Sequence, residues 1–191
     1  MRITAESTMS SRVRPAPVEV KYKHMRFLII HNPDSNGLPE FIGELKKRDV
    51  QEVVRVCEPK YDKELLAKEG IEVLDLVFDD GGVPSVDIID KWVALLKKRF
   101  MDTPESCVAV HCMAGLGRAP LLVAVALMEA GLQYTDAVDY IREKRRGAIN
   151  TRQLLFLEKY RSRDRLRAKW FKWYKKNNAN NGSDDKPCCI Q

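Results

Sequence analysis

The sequence predicts an α/β fold in which helices flank a central, largely parallel β-sheet. Short runs of β-branched and other apolar residues alternate with amphipathic stretches from residue 26 onward, and this alternation is typical of parallel strands joined by helices. The most apolar strand-like run, residues 106–111, is followed after a short loop by the most apolar helical stretch, residues 119–131. A strand and a helix that are apolar on all sides belong in the middle of such a fold.

The first half of the chain supplies strands and helices in alternation. In chain order, the predicted elements are a strand over residues 26–31, a helix over 38–49, a strand over 52–57, a helix over 61–70, a strand over 71–78 and a helix over 85–100. The strands are short apolar runs rich in valine and isoleucine. The helices carry apolar residues at helical spacing, and Ser85 is a favourable N-cap for the last of them.

The second half begins with the strand over residues 106–111, and helices are predicted over 119–131, 135–146 and 150–163. We expect one folded domain over residues 18–163, because 191 residues suit a single core with tails. Residues 164–191 are expected to form a tail that combines a basic and aromatic segment with a polar, disordered spacer.

The N-terminal residues 1–17 are expected to form a flexible arm, because they lack the apolar core of a secretory signal. A mitochondrial presequence is the alternative, and either Met1 or Met9 would be the start. The longest apolar run, residues 119–128, is about half of the ~20 residues that a bilayer span needs, so no transmembrane helix is expected. Five cysteines, two of them adjacent, make a poor disulfide framework, which favours a reducing, intracellular compartment.

The loop at residues 111–118 (HCMAGLGR) has the features of a phosphate cradle. Its glycines let the backbone approach an anion, and the helix that follows offers its N-terminal N–H groups. It holds no lysine and so does not match the nucleotide-binding P-loop motif. Cys112 and Arg118 have the spacing C-x5-R, which suits a thiolate that attacks phosphorus and an arginine that binds the phosphoryl oxygens. The alternatives are a buried structural thiol and a metal site, although the histidines show no ligand spacing with the cysteines.

A phosphate ester attacked in this way needs a carboxylic acid opposite the cradle, on a loop that can close. Residues 78–85 (FDDGGVPS) follow a predicted strand, are rich in glycine and carry Asp79 and Asp80 together. The alternative is that both aspartates are turn residues.

Several stretches of the chain together resemble one enzyme family. They are RPAPVEV (14–20), MRFLI (25–29), RVCE (55–58), FDDG (78–81), HCMAGLGRAP (111–120), REKRRGAIN (142–150), QLLFLEKYR (153–161) and the final CCIQ. On these motifs the chain resembles the phosphatase of regenerating liver group, the prenylated type IVA protein tyrosine phosphatases. The resemblance implies a dual-specificity or protein tyrosine phosphatase-like fold. It also implies hydrolysis of phosphate monoesters through a phosphocysteine intermediate, with no metal or other cofactor.

The same resemblance gives roles to single residues. Cys112 is the nucleophile, Arg118 binds the phosphate and stabilises the transition state, and Asp80 is the general acid and later the base. The phosphate-binding loop comprises Met113, Ala114, Gly115, Leu116, Gly117 and Arg118. The auxiliary positions are Asp79, His111 and Ala119. Cys57 pairs with Cys112 in a reversible disulfide, and Cys188 is farnesylated and methylated.

Two positions depart from the common pattern. Leu76 and Val77 stand where the family usually has Trp-Pro, which removes a rigid residue and a large anchor from the acid loop. Ala119 stands where most enzymes with this loop carry serine or threonine, whose hydroxyl stabilises the departing thiolate. Loss of one such hydrogen bond costs roughly 1.5 to 3 kcal/mol, so we expect a fast first turnover followed by slow release of phosphate.

The tail carries the features of a membrane anchor. Residues 161–176 hold eight Lys/Arg against one Asp, a net charge of +7, which leaves −1 for the rest of a chain whose total is +6. The sequence CCIQ fits C-a-a-X, and one lipid chain is usually supported by such a basic patch. Aromatic residues among basic ones also occur in nucleic-acid-binding segments. The C-a-a-X motif favours the membrane, and no nucleic acid is expected.

Substrate and partners follow from the resemblance alone. The expected substrates are phosphotyrosine proteins or phosphoinositides at the cytoplasmic face of the plasma membrane and endosomes, and assembly as a homotrimer is implied. The rival hypothesis is a binding module, whose pocket docks an acidic side chain of a CNNM-type magnesium-transport mediator.

Overall fold

The computed structural model describes residues 15–34, 36–104 and 106–167, which form one five-stranded sheet with helices on both faces. The strands are β1 (Val18–Tyr22), β2 (Met25–His31), β3 (Val50–Arg55), β4 (Glu72–Asp75) and β5 (Cys107–Cys112). Their spatial order is β1-β2-β5-β3-β4. Only the pairing of β1 with β2 is antiparallel, so the predicted largely parallel sheet is confirmed.

The helices are α1 (Leu38–Lys46), α2 (Lys63–Ala67), α3 (Val86–Asp102), α4 (Arg118–Glu129), α5 (Tyr134–Lys144) and α6 (Thr151–Lys159). Two apolar clusters lie on opposite faces of the sheet. The larger contains buried side chains of α3, α4, α5 and α6, and the smaller those of α1 and α2. Side chains alternate between the two faces of a strand, and in β2 Phe27 joins the larger cluster while Leu28 joins the smaller.

β5 and α4 form the centre of the fold, as the sequence predicts. All six residues of β5 and all twelve of α4 are buried. β5 lies between β2 and β3, and α4 contacts both β5 and β2. The loop that joins β5 to α4 is therefore held between two fixed elements.

Several predicted boundaries change in the structure. β1 was not predicted as a strand; its hairpin with β2 turns at Lys23 and His24, with Lys23 at φ +54°, and lacks the glycine or asparagine that usually marks such a turn. We predicted Cys57 as the last residue of β3. The strand ends at Arg55, so Cys57 lies two residues beyond it. β4 is shorter than predicted, and its neighbour Leu76 donates its backbone N–H to the Arg55 carbonyl at 2.8 Å.

The last predicted helix also ends early, at Lys159 instead of residue 163. Residues 160–167 turn back onto the C-terminal end of α4, where the buried carboxylate of Glu129 accepts hydrogen bonds from Tyr160, Arg163 and Arg165. Leu166 is buried in the larger cluster. The chain thus packs on the domain a few residues beyond the expected boundary at 163.

The predictions for the N-terminal arm before residue 15, for residues 168–176 of the basic segment and for Cys188 lie outside the described residues. In the part of the chain that the structure describes, no helix is both long and apolar enough to cross a membrane.

Candidate active site

The predicted phosphate-binding loop lies between the end of β5 and the start of α4. Cys112 is the last residue of the strand and Arg118 is the first of the helix, and their exposed fractions are 3% and 5%. The backbone N–H of Asn32, just beyond β2, donates to the Cys112 carbonyl at 2.8 Å. The structure thus places the cysteine and the arginine of C-x5-R at the two buried ends of one loop, at the carboxyl edge of the parallel strands.

Gly115 explains why this loop requires glycine. Its φ is +70°, and a Cβ at this position would lie 3.1 Å from the Ile30 carbonyl oxygen. A larger residue would therefore meet both backbone strain and a fixed backbone atom of β2. The close approach holds the middle of the loop against the sheet.

Arg118 joins the phosphate-binding loop to the acid loop, residues 76–84. Its Nη1 donates to the Phe78 carbonyl at 3.1 Å, and its Nη2 lies 3.1 Å from Asp80 Oδ1. Its Nε is buried and has no hydrogen-bond partner among the described residues. The Asp80 side chain is 84% exposed, so this ion pair positions the loop more than it stabilises the fold.

The acid loop is a tight turn around its two aspartates. Gly81 has φ +66°, and the Gly82 N–H donates to the Asp79 carbonyl at 3.0 Å. Asp79 thus contributes its backbone to the turn, and Asp80 is the aspartate that reaches Arg118. Leu76 is buried in the larger cluster and anchors the acid loop at its start. It stands where the family that the chain resembles usually has tryptophan.

His111 precedes the cysteine and is held by a network that sequence reasoning missed. Its Nε2 lies 2.8 Å from the Tyr61 hydroxyl, and Arg55 donates to the Tyr61 carbonyl and to both carboxylate oxygens of Asp75. Burial, with a smaller contribution from the Arg55 guanidinium, lowers the pKa of His111 to about 3. The imidazole is therefore neutral at physiological pH, and it fixes the strand end that carries Cys112.

Cys57 lies two residues beyond the end of β3, the strand that pairs with β5. The preceding residue, Val56, donates its backbone N–H to the His111 carbonyl at 3.0 Å, and Cys57 and Cys112 share the larger apolar cluster as free thiols. Burial raises the pKa of the Cys57 thiol, an effect that the nearby Arg118 partly offsets.

The turn between α5 and α6 also touches the site and was not predicted to. Asn150 donates to the Gly81 carbonyl and Gln153 to the Gly82 carbonyl, at 3.1 and 3.0 Å. The sequence signal that could have drawn attention to them is the capping box N-x-x-Q at the start of α6.

Ala119 is fully buried as the second residue of α4, directly after Arg118.

Within the described residues no group of three or more His, Cys, Asp or Glu side chains is arranged to hold a metal ion.

Comparison with known proteins agrees with this geometry. Residues 33–132 match the family described as "Polymorphic toxin system, DSP-PTPase phosphatase". Protein tyrosine phosphatase type IVA 3 of Bos taurus is 59% identical over 161 residues, which cover 84% of this chain and 93% of that protein. The PRL-1 phosphatase of Drosophila melanogaster is 54% identical over 157 residues, 82% of this chain and 89% of that protein.

A solved structure gives the same result. The putative protein tyrosine phosphatase of Leishmania major superposes with a TM-score of 0.67 and 44% sequence identity, covering 72% of this chain and 89% of that one. Such identities across most of the chain establish the family. The chain belongs to the type IVA protein tyrosine phosphatases, the PRL group, and is a protein tyrosine phosphatase.

Proposed function

We propose that the phosphatase acts through a phosphocysteine at Cys112, with Arg118 as the phosphate ligand and Asp80 as the acid and base. The observation that carries this proposal is the position of Arg118, which is buried at the end of the cysteine loop and contacts the acid loop at both Phe78 and Asp80. One side chain thus links the nucleophile's loop to the proton donor's loop.

In the first step, the Cys112 thiolate attacks phosphorus and the bond to the leaving oxygen breaks. Arg118 and the loop N–H groups stabilise the charge on the equatorial oxygens, and Asp80 gives its proton to the leaving oxygen. Substrate phosphate competes with the Asp80 carboxylate for Arg118, so its binding frees Asp80 to take up a proton from solvent and to turn to the leaving group as the acid. In the second step, Asp80 accepts a proton from the water that attacks the phosphocysteine, and Cys112 departs as a thiolate.

Substitution of Cys112 and of Arg118 tests two of these roles separately, with steady-state hydrolysis of an aryl phosphate as the measurement. Cys112→Ser should abolish turnover, because a serine hydroxyl is a far weaker nucleophile at neutral pH. Arg118→Lys should reduce kcat/KM by roughly two decades or more, because lysine lacks the planar fork. Retention of wild-type turnover by either variant, with the fold intact by circular dichroism, would refute the proposal.

We further propose that the enzyme is tethered to the cytoplasmic face of the plasma membrane and endosomes, where its substrates are phosphotyrosine proteins or phosphoinositides. Support comes from the C-a-a-X sequence at Cys188 and from the basic segment, residues 161–176, with a net charge of +7. The anchored residues 160–167 place the start of this segment at the far end of α4 from the phosphate-binding loop. Each basic residue near an anionic surface contributes ~1 kcal/mol, so the segment can rival a single lipid chain.

Blocking prenylation in cells tests the tether. Cys188→Ser should move the protein from the membrane fraction to the cytosol, and high salt should release the remainder because the basic segment is screened. Undiminished membrane association of the Cys188→Ser variant would show that prenylation is not the anchor.

A second candidate function is the docking of an acidic side chain of a CNNM-type magnesium-transport mediator. It is favoured by the fact that Arg118 binds a carboxylate, that of Asp80, at 3.1 Å. A partner carboxylate would use the same guanidinium as a substrate phosphate. Vanadate, which mimics the transferring phosphate, should therefore displace such a partner; binding that is indifferent to vanadate would exclude this pocket as the docking site.

A further inference from the structure

The turn that begins α6 contacts both catalytic loops at once. Ile149 donates its backbone N–H to the Leu116 carbonyl of the phosphate-binding loop at 2.9 Å. Asn150 Nδ2 and Gln153 Nε2 donate to the carbonyls of Gly81 and Gly82 in the acid loop, at 3.1 and 3.0 Å. These hydrogen bonds join residues that lie far apart in the chain but side by side in the site.

This turn is rigid because its side chains satisfy one another. The Asn150 side-chain oxygen accepts from the Gln153 backbone N–H at 2.9 Å, and the Gln153 side-chain oxygen accepts from the Asn150 backbone N–H at 3.1 Å. Each amide thus uses its oxygen for the helix cap and its nitrogen for the acid loop. Gln153 is fully buried, and a Cβ on Gly117 would lie only 3.4 Å from its Nε2.

A second set of contacts holds the residue before the cap. Ile149 has φ +66°, which is strained for a β-branched residue. Arg142 on α5 donates to the carbonyls of Ala148 and Ile149, at 3.1 and 3.0 Å. The surroundings therefore impose this conformation, which sets the position of the cap relative to the phosphate-binding loop.

We propose that Asn150 and Gln153 are positioning residues that hold the acid loop over the phosphate-binding loop, so that Asp80 stays at the leaving oxygen when Arg118 turns to the phosphate. This inference rests on the proposed role of Asp80. A phosphate bound to Arg118 would weaken the contacts that the acid loop makes with Arg118 through Phe78 and Asp80. Its contacts with the α6 cap use groups that touch no phosphate, and they persist through the reaction.

The test separates this role from helix capping. Aspartate and serine cap helices as well as asparagine does, so Asn150→Asp and Asn150→Ser keep the cap but lose the donor to Gly81. Single-turnover phosphorylation of Cys112 is measured with two aryl phosphates, one with a good leaving group and one with a poor one. Only the poor leaving group depends strongly on protonation by Asp80.

The ratio of interest is the rate with the good leaving group divided by the rate with the poor one. We expect both Asn150 variants to raise this ratio about tenfold, as loss of one hydrogen bond implies. Asp80→Asn should raise the ratio further, and adding Asn150→Asp to it should have no additional effect. Thr151→Ala, at the exposed neighbouring position, should leave the ratio unchanged. Gln153→Met, which removes both the donor to Gly82 and the cap bond from Asn150, should act in the same direction as the Asn150 variants.

The possible failures are distinguishable. An unchanged ratio in the Asn150 and Gln153 variants, while Asp80→Asn raises it, would overturn the positioning role and leave the proposed mechanism standing. An unchanged ratio in Asp80→Asn itself would overturn the acid role of Asp80 and the positioning role with it.

Discussion

The two cysteines of the site differ in chemical environment although both are buried. Cys112 is the last residue of β5, at the start of the loop that Arg118 closes, while Cys57 follows β3. Burial raises the pKa of Cys57, so this side chain is a neutral thiol at physiological pH. Cys57 is therefore slow to react with an oxidant, whereas the proposed role of Cys112 as the attacking nucleophile makes it the first site of oxidation.

We predict that mild hydrogen peroxide links Cys57 to Cys112. The Cys112 thiolate takes an oxygen from the peroxide to give a sulfenic acid and releases hydroxide. Cys57 then attacks that sulfur and displaces water, so the disulfide forms. Non-reducing peptide mapping should recover the linked peptides, and Cys57→Ser should instead accumulate sulfinic Cys112. Recovery of only free or overoxidised Cys112 from the wild-type protein would contradict the pairing.

At the scale of elements, one buried carboxylate accepts several of the hydrogen bonds that hold the segment after α6 on the domain. Glu129, the last residue of α4, accepts from the backbone and guanidinium of Arg165, both at 2.9 Å, and from the Tyr160 hydroxyl. Burial alone would raise the pKa of Glu129, but the hydrogen bonds from Arg165 and Tyr160 lower it below its usual range. The carboxylate stays ionised and holds the start of the basic segment on the domain.

Arg165→Ala should destabilise the domain by about 2 to 4 kcal/mol, because it leaves the buried Glu129 charge short of its partner. Arg163→Ala is the matched control, since its exposed side chain is removed while its backbone N–H to Glu129 remains. We expect the control to change stability by less than about 0.5 kcal/mol. Urea unfolding measures both, and equal stabilities of the two variants would show that Glu129 is not the anchor.

The elements also show what a sequence can and cannot predict. β5, α4 and the loop between them follow from local signals, namely an apolar strand, an apolar helix and the spacing of Cys112 and Arg118. The hairpin of β1 does not, because Lys23 adopts its positive φ without any turn signature. Tyr61, Asn150 and Gln153 reach the site from 50 to 71 residues away along the chain, so their contacts with His111, Gly81 and Gly82 follow only from the fold.

At the scale of the whole molecule, packing on both faces of the sheet buries two histidines in neutral form. Burial lowers the pKa of His111 and of His24 to about 3 each, with Arg55 and Lys23 respectively adding to the effect. In the unfolded chain both titrate near pH 6.5. Between about pH 6.5 and 3 the unfolded state therefore binds more protons, and stability falls as the pH falls.

We predict that each of these histidines costs the folded state about 2 kcal/mol at pH 5 relative to pH 7 or above. His24 packs edge-on against Phe100, so His24→Leu preserves an apolar contact and removes one titrating group. Burial raises the pKa of the Glu52 carboxyl, which acts in the opposite direction in both proteins and cancels in their difference. Thermal or urea unfolding from pH 7 to 5 should show a flatter profile for His24→Leu, and parallel profiles would exclude this account.

We propose that Cys112 forms a phosphocysteine and that Ala119 makes its hydrolysis slow. Rapid quench with an aryl phosphate, followed by intact-protein mass spectrometry, tests it most directly. We predict a burst of leaving group close to one per site, a phosphoryl adduct that maps to Cys112, and a slow steady state. Ala119→Ser should speed that steady state by about one to two decades without changing the burst rate. A progress curve without a burst, or a steady state unaffected by Ala119→Ser, would contradict the claim.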